Sequence, residues 1–566
     1  MQPELRKIVD DVIEKELKGI VAEVGACESS IMFIGELIDG MYKTGNFEAG
    51  ENLRPVLDIL VPELLSKLSS TENKLDKIPF ERVFDFSNSY HSLRDYIFMS
   101  FSIESSIEFS GNERSISVSV KDPTIFRQYV YERQTFALNS VSEAKSHLDI
   151  DDIVSLLKGA KQWDFENSNL VQALESIKLE VEWKIRHYFS HIPEDSNIDM
   201  GGYSYREFIS IYKELLFLSL YERYHSKAND LSCVITYQEN ELANTLEQAT
   251  EISAISCKRI LRDISSSSRC TFIYLSSDNK YFLFPFSFSL KDGVSALLKQ
   301  YAQKNSNLFS ANCASVIGNS LVKNVASYFD EYKNFHVFKD ISLQLYGSDL
   351  PDIDCLIVSY EPSLGFHFFV CEVKNNLPAS WAKEYLKATG KKGFIEKALT
   401  QSKKISDFLK TDEGADLLLA KAMQAFPDLD IKKLFPTGFC GVIDYLIVTS
   451  QSMGMFFPDS TTTIIDNDML RHIVLKSDGD VNFIQFHLHH LNEALDDCYS
   501  VERKTLNALG IEITYDICKL TGLFDIYQNK YLSDGTFDYL EKESIDTGYR
   551  FIDSIDLHNL AIKSDS

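Results

Sequence analysis

Ten cysteines are scattered through the 566-residue chain without a single Cys-x-x-Cys pair. That spacing excludes a zinc ribbon or a dithiol redox motif and fits a reducing compartment. No apolar run approaches the roughly 18–20 residues of a membrane-spanning helix. The opening MQPELRKIVDDVIEKELKG has no basic segment followed by an apolar core, and it reads as an amphipathic helix rather than a signal peptide. The expectation is a soluble, cytoplasmic protein with no membrane partner. A phosphate-cradling Gly-x4-Gly-Lys-Ser/Thr loop is missing too, since Thr389-Gly390-Lys391-Lys392 lacks both the leading glycine and the hydroxyl. The chain therefore carries no evident nucleotide-driven motor. Repeats and long low-complexity linkers are absent, and Ser265 to Ser268 reads as a plain loop. Positive charge is scarce: 57 basic against 83 acidic residues give a net charge of −26. Such a balance suppresses non-specific binding to nucleic acid.

Apolar residues, at 44%, and aromatic residues, at 12%, are plentiful enough for packed cores. The length implies several domains, because single cores seldom grow past about 250–300 residues. Residues 1–229 read as mainly helical, with a β-hairpin near 105–120 that turns at Gly111-Asn112. Residues 230–312 read as a small α/β unit, 313–499 as an α/β domain with a mixed central sheet, and 500–566 as mostly helical.

The most informative stretch begins at Pro351-Asp352-Ile353-Asp354, continues through an apolar run and the turn-forming Glu361-Pro362-Ser363-Leu364-Gly365, and ends after a second apolar run at Glu372-Val373-Lys374. Strand side chains alternate faces, so Asp352 and Asp354 share one face and Glu372 and Lys374 share one. A hairpin symmetric about Ser363 sets Asp354 across from Glu372 and Asp352 across from Lys374, close enough to interact. Carboxylates in that arrangement repel one another unless a cation sits among them. Oxygen-only ligation suits Mg²⁺, which takes one or two protein carboxylates and keeps other positions for water and phosphate oxygens. The neighbouring lysine is placed to hold a water or a phosphate oxygen.

These residues resemble the PD-(D/E)xK, or restriction-endonuclease-like, nuclease superfamily. The resemblance covers roughly residues 315–475 and implies a core that runs helix, three strands, helix, strand. The sequence can be read in that order: a helix from Gly318 to Phe329, a strand from Phe335 to Leu345, the hairpin, a helix marked by Phe394, Ala398, Ile405 and Leu409, and a buried-type strand from Gly441 to Thr449. The resemblance implies a Mg²⁺-dependent endonuclease, with Mn²⁺ as a substitute, that hydrolyses phosphodiester bonds, with DNA the expected substrate. Asp354 is then the first metal ligand, and Asp352 a second choice. Glu372 and the Val373 carbonyl complete the protein's share, Lys374 positions the attacking water, and Gln401 stands beside the lysine. One departure is that many members carry a glutamate in the first helix, where this chain has Gly318-Asn319-Ser320-Leu321. Asp330 and Glu331 come too late in the helix to replace it.

Charge is distributed unevenly around this motif. From Leu377 to Lys410 there are eight lysines against Glu384, Glu396 and Asp407, a local charge of +5. Lys391, Lys392, Lys397, Lys403 and Lys404 are the candidate phosphate-backbone contacts; the alternative is a solvated helix face. Two weaker motifs stand apart. Arg186 and His191 have the Arg-x4-His spacing of HEPN ribonucleases, whose cleavage needs no metal. His487, His489 and His490 form a histidine cluster without an evident further zinc ligand. A different class of reading keeps the nuclease fold as an inactive scaffold, with the acidic N-terminal region binding a protein partner. The overall plan, a nuclease joined to a long region without its own motor, resembles bacterial anti-phage defence effectors. It implies a partner that supplies recognition or NTPase activity.

Overall fold

Apolar residues at three- and four-residue intervals build the first part of the chain. Leu5, Val9, Val12, Ile13, Leu17, Ile20, Val21 and Val24 form one buried stripe on the opening helix. A computed structural model describes residues 2–46, 49–50, 53–68, 80–102, 107–121, 149–161, 166–188, 192–266, 273–290, 293–362, 365–375, 393–430, 433, 440–450, 462–497, 499–520 and 550–553. The chain is mixed α/β and divides into two compact units. One is built from the described residues of 1–122, 132–316 and 502–517, the other from those of 317–501 and 518–566. Among the described residues no helix is long and apolar enough to cross a membrane.

The first unit holds α1 (Gln2–Val24), α2 (Glu28–Lys43), α3 (Pro55–Ser66), α4 (Phe80–Ser102), β1 (Ile107–Asn112), β2 (Ser115–Val120), α5 (Ile150–Leu157), α6 (Ser168–Tyr188), α7 (Tyr205–Asn229) and β3 (Ile235–Gln238). It continues with α8 (Glu239–Thr250), α9 (Ala254–Ser266), β4 (Ile273–Leu275), β5 (Lys280–Leu283), α10 (Pro285–Ser289), α11 (Gly293–Lys304) and α12 (Ser306–Asn312). The expected hairpin is β1–β2, but its turn falls two residues later than expected, at Glu113 and Arg114. Gly111, at φ +109°, stays in the strand, and the Asn112 side chain accepts from the Arg114 and Ser115 amides. The 230–312 segment belongs to this unit; its three strands form a small sheet in the order β3-β5-β4.

The second unit holds α13 (Ala314–Ser327), β6 (Phe335–Ile341), β7 (Ile353–Glu361), β8 (Gly365–Lys374), α14 (Phe394–Leu409), α15 (Asp412–Ala425), β9 (Cys440–Thr449), β10 (Thr463–Asp466), α16 (Asn467–Ser477) and α17 (Val481–Asp497). Its sheet runs β10-β9-β8-β7-β6 and is mixed, antiparallel through β6, β7 and β8 and parallel from β8 to β10. The chain then forms β11 (Tyr499–Ala508) and β12 (Ile511–Leu520), and later β13 (Arg550–Asp553), which pairs parallel with β9.

Within the expected mostly helical 500–566, the described residues, 500–520 and 550–553, form strands and a turn; the rest of that expectation lies outside the described residues. Ile511, Ile513 and Tyr515 recur at the two-residue strand period, and Leu509 and Gly510 both adopt positive φ, as a two-residue hairpin turn demands. β12 pairs parallel with β2 and so contributes to the first unit's sheet, β1-β2-β12-β11.

Alternation along β7, β8 and β9 sorts the second unit into two cores. Cys355, Ile357, Phe369, Cys371, Val373, Leu446 and Val448 face α13, α16 and α17. Leu356, Val358, Phe366, Phe368, Val370, Ile443 and Tyr445 face α14 and α15. Helices thus cover both faces, which is why β8 is almost uniformly apolar rather than alternating.

A polar pin crosses the first of these cores. The buried Asp444 carboxylate of β9 accepts from His367 Nε2 at 2.6 Å, His489 Nε2 at 3.2 Å and Gln485 Nε2 at 3.3 Å. Burial alone would push this carboxyl up; the bonds from His367 and His489 outweigh burial and hold it well below the usual carboxylate range. The expected histidine cluster is resolved differently. His489 serves Asp444, while the His487 ring packs 4.2 Å from Phe483, because residues two apart on a helix do not share a face. The His490 side chain lies outside the described residues.

Asp444→Ala should destabilise the second unit by about 3 kcal/mol, since it leaves buried polar groups without their acceptor. A carboxyl held low in the folded state stabilises above its unfolded value, near pH 4, and that contribution disappears as pH falls through the folded value. The difference in denaturant midpoint between wild type and variant should therefore be full at neutral pH and begin to shrink only below about pH 4.

Candidate active site

Three strands bring acidic side chains to one end of the second sheet. The β7–β8 register runs from Cys355↔Cys371 to Glu361↔Gly365, symmetric about position 363. Continued one step, it sets Asp354 opposite Glu372. By alternation both carboxylates, with Lys374, lie on the face of Leu356 and Val370, beneath α14.

Asp354 and Glu372 are held differently. The Val373 backbone N–H donates to Asp354 Oδ2 at 2.7 Å, which fixes that carboxylate across the strand pair. Glu372 is only 3% exposed. The Lys374 ammonium donates to its Oε1, and its Oε2 is buried without a hydrogen-bond partner. Such an atom is rare in a folded interior, because it gives up water and receives nothing in return. Burial is the main force raising the Glu372 carboxyl to about 7, with repulsion from Asp354 adding to it and Lys374 opposing it. Asp354 is raised for the same first reason; the Val373 amide and Lys374 oppose the shift, and Asp340 and Asp352 reinforce it.

Other expected residues take varied places. Asp352 is exposed, and its Oδ1 accepts from the Leu343 amide at 3.2 Å. It therefore ties down the loop between β6 and β7, which leaves Asp354 and Glu372 as the facing pair. Gln401 is half-buried on the α14 stripe that includes Ala398 and Ile405 and faces the sheet. Lys397, Lys403 and Lys404 are exposed on the same helix, and Lys404 Nζ donates to the Asp349 carbonyl at 3.2 Å. Lys391 and Lys392 lie outside the described residues. So does His191; Arg186 is exposed near the end of α6.

Asp340 adds to the expected set. It sits between the paired residues Lys339↔Cys355 and Ile341↔Ile353, so it falls opposite Asp354, and its φ is +53°. Aspartate tolerates that left-handed conformation better than most side chains. Only the β6–β7 register, which cannot be read from residue types, brings it to the site.

Among the described residues no group of three or more His, Cys, Asp or Glu side chains is gathered so as to hold a metal ion. What the site offers a cation is two facing carboxylates, one with an unsatisfied buried oxygen. That donor set fits a hard ion that completes its coordination with water and substrate oxygens. No family model, curated protein or solved structure matches the chain.

The Glu372 environment has a measurable consequence. An acid raised in the folded state keeps a proton that the unfolded chain has already released, so stability falls as pH rises from about 4.5 to about 7 and is level above. Glu372→Gln removes that liability. Without added metal the variant should gain about 3 kcal/mol over wild type at pH 8 and almost nothing at pH 4.5. Thermal melts across that range test this, and an equal difference at both ends would contradict it.

Proposed function

We propose that the second unit is a divalent-cation-dependent phosphodiesterase of the restriction-endonuclease-like class, with DNA as its substrate. The observation that carries this reading is Glu372 Oε2, a buried and unpartnered carboxylate oxygen opposite Asp354 with an ammonium group beside it. The order α13-β6-β7-β8-α14-β9 supports it, because it follows the helix, three strands, helix, strand expected of the class, with α15 added before the last strand. α13 carries no carboxylate at its first turns, so the cation would rely on Asp354, Glu372 and the Val373 carbonyl.

In this reading Asp354 and Glu372 would hold Mg²⁺ or Mn²⁺. When bound, the ion lowers the pKa of a water and neutralises charge on the phosphate. The chain's own residues do the rest. The Val373 amide holds Asp354 Oδ2 in place. Lys374, which donates to Glu372 Oε1, would position the attacking water and stabilise charge developing on the phosphate. Gln401 faces the sheet from α14 and would orient the water further. Lys397 and Lys403, exposed on α14, would pair with backbone phosphates. With no motor motif in the sequence, a protein partner would supply recognition or nucleotide-driven loading.

The test is incubation with circular and linear DNA in Mg²⁺, Mn²⁺ or EDTA. Wild type should cleave only with a divalent ion. Asp354→Asn and Glu372→Gln should abolish cleavage, and Lys374→Ala should lower turnover by roughly 10²-fold or more, the scale of losing an electrostatic stabiliser. Lys397→Glu with Lys403→Glu should reduce the log–log salt slope of DNA binding, measured in Ca²⁺, by about 0.9 for every phosphate the protein no longer neutralises. Undiminished cleavage by both carboxylate variants would end this reading.

A further inference from the structure

We propose that Leu345 is a wedge that enters the base stack beside the scissile phosphate, so that the preferred substrate is a duplex opened or kinked at that step. The inference rests on the hydrolytic reading for the position of the phosphate. Its own support is the loop between β6 and β7. Leu345 is 95% exposed. No other large apolar side chain among the described residues is as exposed, the next being Ile255 at 78%. A single exposed leucine is ordinary on a protein surface. Here both its setting and its support are unusual.

The setting follows from topology. Ile341 pairs with Ile353, so the loop springs from the end of the sheet where Ile353 and Asp354 begin β7. Leu345 is two residues from Leu343, whose amide is bonded to Asp352. The loop that carries Leu345 therefore leaves the same end of the sheet as Asp354, Glu372 and Lys374.

The support comes from fastenings on both sides of the tip. Leu343 is fully buried. Its carbonyl accepts from the Tyr346 and Gly347 amides at 2.9 and 3.3 Å, and the Leu350 amide donates to the Gly347 carbonyl at 3.2 Å. The Tyr346 ring packs 5.0 Å from Phe408 of α14. Lys404, also on α14, donates to the Asp349 carbonyl. These interactions hold an apolar side chain in water on a closed turn tied to the helix that presents Lys397 and Lys403. An apolar tip beside cations that track a phosphate backbone is the chemistry with which proteins unstack a base step. A base pair already open spares the protein that cost.

The test uses a duplex with 2-aminopurine next to the cleavage step, bound in Ca²⁺, together with cleavage kinetics in Mg²⁺. Wild type should raise 2-aminopurine fluorescence; Leu345→Ser should not, and Leu345→Met should retain the rise. The serine variant should lose on the order of tenfold in kcat/KM on the duplex, the scale of an unstacking cost left uncompensated. It should recover to within about twofold of wild type on the same sequence with a two-base mismatch bubble. Equal fluorescence from wild type and Leu345→Ser, or an equal loss on duplex and bubble, would overturn the wedge. Cleavage by wild type without a fluorescence change would overturn it while leaving the hydrolytic reading intact. A Leu345-dependent fluorescence rise without any cleavage would leave base unstacking standing but overturn the hydrolytic reading and, with it, the placement beside a scissile phosphate.

Discussion

The second unit is organised around a carboxylate that its own fold keeps from water and leaves half satisfied. Glu372 sits near the end of a strand paired on both sides, with β7 antiparallel and β9 parallel, and helices cover both faces of the sheet. Those layers remove the solvent that would otherwise screen Glu372 from Asp354. The cost is borne by the fold: one oxygen rests on Lys374 and the other has no partner. Proteins retain such local instability mainly where it serves a site.

The same sheet holds a second buried carboxylate whose oxygens are compensated by several donors. Asp444 lies on the opposite face and receives three hydrogen bonds, two from imidazoles, and its carboxyl is held low. Glu372, one strand away, receives one bond from a lysine and is raised to about 7. Both are buried carboxylates, and their pKa values are driven in opposite directions by the company each keeps. The end of a sheet beyond the carboxyl ends of its parallel strands is where open α/β folds bind ligands.

Much of this site is legible in residue order. A hairpin symmetric about Ser363 sets Asp354 against Glu372, and the uniform apolarity of β8 announces a strand covered on both faces. Asp340 is not legible, because it reaches Asp354 only through the pairing of β6 with β7, and no local signal encodes that register. The role of Asp352 is hidden for a related reason: nothing in the sequence shows that its carboxylate closes onto the Leu343 amide. The C-terminal strands escape a helical reading of 500–566, although Leu509-Gly510 and the alternation after it point to a hairpin. The partner of β12, β2, lies almost 400 residues earlier in the chain, beyond the reach of any window of sequence. The His367–Asp444–His489 pin is half visible, since His489 belongs to the histidine cluster but its acceptor and the second imidazole sit in buried strands far from it.

The central claim is that Asp354 and Glu372 form one divalent-cation site at the end of this sheet. Calorimetric titration of Mn²⁺ into the metal-free full chain, wild type against Asp354→Asn, tests it without relying on any substrate. The account predicts a single saturable site in wild type that is lost in the variant, while both proteins keep the same far-ultraviolet circular dichroism. Equal Mn²⁺ binding by the two proteins, or no binding by folded wild type, would contradict it.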